Sequence, residues 1–270
     1  MPDAAPRKRS TVILISTVAA TGGLLFGFDT GVISGALPFL RDHWKLGASS
    51  IEALTTALLV GAVLGSLLSG RVTDVLGRKK VMLATAVVFF VGAVWTAFAG
   101  SPAALGWGRG VVGLAIGVAS FATPLYIAEL SPTRQRGALV SLNQLMITIG
   151  ILISYAADYA LASDTNPESW RHMFLAGAVP AVVLLVGMLF LPETPRWLIA
   201  QGREAEGRAV LERVEDADLV EDAVRRMKED SAVESRYRGA WSEILQPWLR
   251  APLLIAFLIF FFQQFSGINT

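Results

Sequence analysis

Apolar runs of about 20 residues recur along the chain, and no other feature constrains its fold as strongly. They lie near 11–37, 53–70, 81–100, 103–127, 138–161, 172–191 and 251–270. A helix of that length matches the hydrocarbon thickness of a bilayer. Backbone N–H and C=O groups in lipid find no water, so a spanning segment must satisfy them internally. Runs this long therefore read as transmembrane helices. A span and its turn take roughly 25–35 residues. A chain of 270 residues then holds six or seven spans and one polar insert.

The charge distribution marks the insert. Of 45 charged side chains (23 basic, 22 acidic), 23 fall between Glu193 and Arg250. The insert reads as short amphipathic helices. Glu204/Arg208, Glu221/Arg225 and Asp222/Arg226 are acid-before-base pairs four residues apart, the favourable order on a helix. Leu211, Val214, Val224 and Met227 present an apolar face. Two readings stay open: a solvated linker between bundles, or a clamp on their inner faces.

Basic residues orient the spans, because Lys and Arg are retained on the cytoplasmic side. Arg7, Lys8 and Arg9 precede the first run. Arg71, Arg78, Lys79 and Lys80 separate the second and third, and Arg134 and Arg136 the fourth and fifth. Ten more follow the sixth. The opposite loops carry Arg41, Lys45 and Arg171 alone. This places the N-terminus and the 192–250 segment in the cytoplasm, with the chain multi-pass in the plasma membrane. The run after Arg7–Arg9 continues to about Leu40, longer than a signal-peptide core.

Composition excludes several classes. A net charge of +1 provides no field for nucleic acid. With no cysteine and two histidines (His43, His172), no metal site is expected. No cofactor is expected either: the glycines from Gly22 onward lack the Lys-Ser/Thr ending of a phosphate-binding loop. The chain does not read as an enzyme.

Two ionisable residues fall deep in apolar runs: Asp29 in the first and Arg109 in the fourth. An intramembrane charge costs about 2.5–3.5 kcal/mol on insertion scales, so each needs a partner or a watery cavity. They are candidate partners for each other. A carboxylate that gains and loses a cation as a protein moves would bind and release a proton, a route to proton coupling. A static structural ion pair is the other reading. Gly22, Gly23, Gly27, Gly31 and Gly35 surround Asp29, and Gly106, Gly110, Gly113 and Gly117 share a face of the fourth run. Both sets suit close helix packing.

Several motifs carry more specific information. The loop after the second run reads Gly70-Arg-Val-Thr-Asp74-Val-Leu-Gly77-Arg78-Lys-Lys. There Gly77 permits a tight turn, Arg78 bridges helix ends, and Asp74 offers a carboxylate to a helix N-terminus across an interface. The fourth run begins Arg109-Gly-Val-Val-Gly113 and ends Pro124-Leu-Tyr126-Ile-Ala-Glu129. Arg134-Gln-Arg136-Gly137 leads to Asn143-Gln144. Trp170-Arg171-His172-Met173 precedes the sixth core, and Pro192-Glu-Thr-Pro195-Arg196-Trp197-Leu198 follows it. Gln263-Gln264-Phe-Ser-Gly267-Ile-Asn269 closes the chain. Together these resemble the sugar porter family of the major facilitator superfamily. Thr194 stands where the family usually has Ser.

The resemblance implies an all-α membrane protein of the major facilitator fold. It divides the chain into a cytoplasmic terminus (1–10), a six-helix bundle (11–191), intracellular helices (192–250) and a partial seventh span (251–270). It implies a secondary transporter of a monosaccharide or polyol, driven by proton symport, with facilitated diffusion as the alternative. The partners would be the sugar, protons and the lipid bilayer. Gln144, Gln263, Gln264 and Asn269 match sugar-contacting amides, groups that both donate and accept hydrogen bonds. Asp29 matches the proton acceptor, with Arg109 tuning it. Gly70, Asp74, Gly77, Arg78, Glu129, Arg136, Glu193 and Arg196 match a conformational network at the cytoplasmic face. The family's fold needs twelve spans around a midplane site. A complete transport path is thus expected to need a second half. By itself this half would be a fragment, inert or sensory.

Overall fold

The computed structural model describes residues 6–163, 165–236 and 246–265, and every regular element among them is an α-helix. The chain forms two compact units, Met1–Val224 and Arg225–Thr270. The first contains α1 (Pro6–Trp44), α2 (Ala48–Leu76), α3 (Arg78–Ala97), α4 (Pro102–Leu130) and α5 (Arg136–Leu161). Next come α6 (Ser169–Ala176) and α7 (Ala178–Phe190), which together make one span over Ser169–Phe190. Among the described residues, six spans are long and apolar enough to cross a membrane.

The helices outrun the apolar segments that announce them. The second run reads as 53–70, yet α2 extends from Ala48 to Leu76. Polar residues such as Ser49, Arg71 and Asp74 continue the helix beyond the hydrocarbon without interrupting its backbone bonds. Helix boundaries follow local chemistry. Ser101 caps α4 by accepting a hydrogen bond from the Ala104 amide at 3.2 Å, and Pro102 occupies the first turn. Gly77 separates α2 from α3 at φ +94°, a conformation that L side chains resist.

Glycine sets the closest helix pairs. Gly61 and Gly65 of α2 lie against the carbonyls of Gly110 and Leu114 on α4. Gly113 and Gly117 of α4 lie in turn against the carbonyls of Leu58 and Ala62. Any Cβ at these four positions would strike backbone. Gly106 and Gly110, predicted on the same stripe, make only ordinary contacts. On α1, Gly23, Gly27, Gly31 and Gly35 receive Asn143, Ile147, Ser154 and Asp158 of α5. Gly22 receives Thr123 of α4.

Large apolar side chains stay exposed along α2 and α7, including Leu59, Val63, Leu67, Leu189 and Phe190. Contiguous apolar surface of this extent marks a membrane or partner face. At the Trp44 end, Trp170 is fully buried and packs on Trp44 at 5.2 Å between ring centroids. Arg171 donates to the Ala97 and Ala99 carbonyls at 2.9 and 3.0 Å, closing the end of α3.

Three helices follow the bundle: the short α8 (Pro195–Ala200) and α9 (Glu204–Val214), and the longer α10 (Ala217–Arg236) of 20 residues. Of the apolar face read from the sequence, Leu211, Val214 and Val224 are buried and Met227 is half-buried. Val210 and Val214 join the bundle's core, and α9 packs on α8 and α1. Arg208 bonds Glu221 across the α9–α10 turn. In the second unit, α11 (Pro247–Phe265) occupies the position read as a seventh span. Its apolar stretch, Leu249–Gln263, is shorter than the other six, and 266–270 lie outside the described residues.

Candidate functional site

Asp29 is two thirds of the way along α1, and Arg109 is in the second turn of α4. The structure brings them together: Arg109 Nη2 is 3.4 Å from Asp29 Oδ2, and both side chains are buried. Arg109 also lies over the Phe174 ring at 5.9 Å. Its Nε and Nη1 make no hydrogen bond among the described residues. A cavity of ≈ 10 Å³ adjoins the pair, lined by Asp29, Val32, Thr96 and Phe174. That volume is close to the minimum for one water. A single long contact therefore holds a cation with hydrogen-bonding capacity to spare.

Gln144 lies on the exposed face of α5. Ser141, Thr148, Tyr155 and Tyr159 share that face at helical spacing and are exposed too. Sequence reading singled out Gln144 and missed this stripe, though its spacing carries the signal. Thr148 Oγ1 donates to the Gln144 backbone carbonyl at 3.2 Å, one turn earlier on the same face. Gln263 and Gln264 fall in the last turn of α11, in the other unit. Asn269 lies outside the described residues.

The other cluster lies at the basic end of the bundle. Arg78 Nη2 is 3.1 Å from Asp74 Oδ1, and its Nε is 3.1 Å from Glu129 Oε2. Its Nη1 donates to the Thr73 carbonyl at 3.2 Å. Glu193 accepts from the Lys79 amide at 3.0 and 3.1 Å and from the Thr194 amide at 2.9 Å. A carboxylate on the first turn of α3 meets the positive end of its dipole. That carboxylate is Glu193 and not Asp74, which turns back to Arg78. A Cβ on Gly77 would collide with Glu193. Gly70 has open space around it. Arg136 is exposed at the start of α5, outside this cluster, where its charge reaches Glu215. Arg196 is half-buried on α8.

Two further residues complete the lock. Tyr126 Oη donates to the Pro192 carbonyl at 2.6 Å, and Trp197 Nε1 to the Asp74 carbonyl at 2.9 Å. Segment 192–197 thus ties the basic ends of α2, α3 and α4 together. Sequence reading quoted both residues within motifs but assigned them no contact. Asp158 of α5 was not singled out at all. It is buried against Gly35, and neither carboxylate oxygen has a hydrogen-bond partner among the described residues.

On α9 the electrostatics are more ordinary. The hydrogen bond from Arg203 (2.6 Å) holds the Glu206 carboxyl below the usual glutamate range. Burial, reinforced by Asp216, holds Glu215 above it.

Six apolar helices, a buried Asp–Arg pair and a tied basic end have the form of one half of a major facilitator bundle. The comparisons agree. The family described as "Sugar (and other) transporter" matches residues 15–270. A putative metabolite transport protein, YwtG, of Bacillus subtilis is 41% identical over 97% of this chain and 56% of its own length. The glucose transporter GlcP of Staphylococcus epidermidis is 41% identical over 95% of this chain and 56% of its own. A solved structure of the xylose transporter XylE from E. coli, partially occluded and inward open, superposes with TM-score 0.82 at 30% identity. It covers 96% of this chain and 64% of the XylE chain. The chain belongs to the sugar porter family of the major facilitator superfamily. It spans just over half the length of the curated relatives it matches.

Proposed function

We propose that the protein carrying this chain moves a monosaccharide or polyol across the plasma membrane by alternating access, with its basic end in the cytoplasm. The observation that carries this reading is the buried Asp29–Arg109 pair at 3.4 Å, in a bundle whose α5 exposes an amide and hydroxyl stripe. Sugar hydroxyls donate and accept, and Gln144 can do both without charge. Relatives that transport glucose and myo-inositol support the substrate class. Gln263, Gln264 and Asn269 would contribute from the seventh span, opposite a second bundle.

Coupling to protons would act through Asp29. When Arg109 bonds Asp29 the carboxylate is compensated; when the bundles rock and the contact breaks, a proton takes the cation's place. At the basic end, Arg78, Asp74, Glu129, Glu193 and Arg196 would bridge to the second bundle in one state and part in the other. A second reading is facilitated diffusion, in which the Asp29–Arg109 contact is a static ion pair that stays closed through the cycle.

Radiolabelled sugar uptake by the complete protein, with and without a protonophore, separates the two. An Asp29→Asn variant should lose accumulation against a gradient and keep sugar exchange. Concentrative uptake that survives the substitution overturns proton coupling. Absence of any sugar uptake or exchange in the unmodified protein overturns the transport reading.

A further inference from the structure

A second cleft lies outside the proposed transport path, at the basic end, where α3, the end of α7, α8 and α9 meet. It measures ≈ 600 Å³. Lys79, Lys80, Arg203 and Arg213 line it, over a floor that includes Trp197 and Val210. Glu193 and Glu206 also face the cleft, but both carboxylates are already engaged. Glu193 accepts from the Lys79 and Thr194 amides, and Glu206 from Arg203. Lys79 Nζ donates to the Leu189 carbonyl at the end of α7. Lys80 and Arg213 make no ion pair among the described residues. The cleft therefore holds cationic groups that its own acids do not neutralise.

Its apolar continuation identifies the occupant. Leu189 and Phe190 on α7 are exposed, as are Val87, Phe90 and Val91 on α3. These helices pack side by side, so the charged mouth continues into two apolar helix faces. An anion bound here would have its charge at the membrane surface and hydrocarbon directly above it. A soluble phosphate ester matches the charge and leaves the apolar faces uncovered. Basic pockets at the ends of transmembrane helices suit anionic lipid headgroups.

We infer that this cleft is a binding site for an anionic phospholipid of the cytoplasmic leaflet. The headgroup phosphate bonds Lys80 and Arg213, and the acyl chains lie along α3 and α7. Trp197 and Glu193 belong both to this cleft and to the lock on α2, α3 and α4. A bound lipid thus presses α9 onto the bundle and stabilises the locked form. The leaflet assignment rests on the orientation proposed above; the site itself does not.

The test uses the purified 270-residue chain in neutral detergent. Thermal unfolding is followed while phosphatidylglycerol, phosphatidylcholine or glycerol phosphate is titrated in. Phosphatidylglycerol should raise the midpoint saturably, and the other two should not. Replacing Lys80 and Arg213 together by Gln should weaken the phosphatidylglycerol effect by about thirtyfold in concentration. Equal effects of phosphatidylglycerol and phosphatidylcholine, or an unchanged response in the double variant, overturn the site. Glycerol phosphate acting as strongly as the lipid makes this a soluble-phosphate site and overturns the lipid assignment. Should the double variant not fold, Arg213→Gln alone carries the test, with a loss of about fivefold expected. The chain has no cysteine, so a Lys80→Cys variant labelled by an impermeant maleimide reports the leaflet separately. Labelling from the outside overturns the orientation and leaves the lipid titration standing.

Discussion

The mid-bundle pair and the basic-end cluster are both built from buried arginine and acid, but their arginines are held very differently. Arg78 spends Nε, Nη1 and Nη2 on Glu129, Thr73 and Asp74. Arg109 has one contact, at 3.4 Å, and two nitrogens without a hydrogen-bond partner among the described residues. A fully engaged guanidinium fixes its neighbours, and an under-engaged one retains capacity for a ligand, a water or a moving carboxylate. Within the bundle, that contrast fits a basic end that holds α2, α3 and α4 together while it meets or leaves the second bundle, and a centre whose own pair opens and closes.

Three substitutions probe that division. The largest effect should come from Arg78→Met, which keeps the volume of the stem and removes the charge. It leaves Glu129 buried without its cation, a loss of about 3–5 kcal/mol. Denaturant unfolding in micelles measures it; a loss no larger than that of a surface ion pair would break the comparison. Gly77→Ala comes next. The backbone there sits at φ +94° and the added methyl meets the Glu193 carboxylate. About 1–3 kcal/mol should be lost, and the α3 cap loosened with it. Hydrogen exchange at the Lys79 amide would show the loosening directly.

At the centre, Asp29→Asn keeps an oxygen that accepts from Arg109 but removes the compensating charge, so it should cost less than Arg78→Met, about 1–3 kcal/mol. Its functional effect should be total for coupling. Were it as destabilising as Arg78→Met, the central pair would be a structural brace like the outer one.

Much of this architecture was legible in the sequence, for reasons that differ by region. Run length announced the six spans, because lipid forces helices of a fixed minimum length. Asp29 and Arg109 stood out as charges inside apolar runs. The helix ends did not stand out, since polar residues such as Ser49 and Asp74 end the apolar run while the helix continues through them. Asp158 was missed because it lies near the end of its run, where an acid is unremarked. Gly35, over a hundred residues away on α1, is what buries it. The cap on α3 by Glu193 joins residues 114 positions apart, so no local pattern records it. Arg136 shows the opposite limit: the motif groups it with Arg78, and the fold places it outside that cluster.

The smallest effects should come from α9, the outer wall of the basic end, where two glutamates titrate with opposite sign. The Glu206 carboxyl is held low by Arg203, so its contribution is present above the ordinary glutamate pKa. That contribution is lost as pH falls through the lowered value. Glu215 is held high by burial, so between its ordinary and raised values the folded chain carries the extra proton. Stability from Glu215 therefore falls as pH rises through that window and returns as pH falls. Glu215→Gln should flatten this dependence and raise the neutral-pH stability by less than about 1 kcal/mol, since solvent screens a half-buried site. Glu206→Gln should act the other way, lowering stability at neutral pH and changing nothing in acid. Unfolding midpoints of the two variants across the acid range measure both signs. If both substitutions shift the midpoint in the same direction at neutral pH, α9 does not dock through Glu215 as its burial requires.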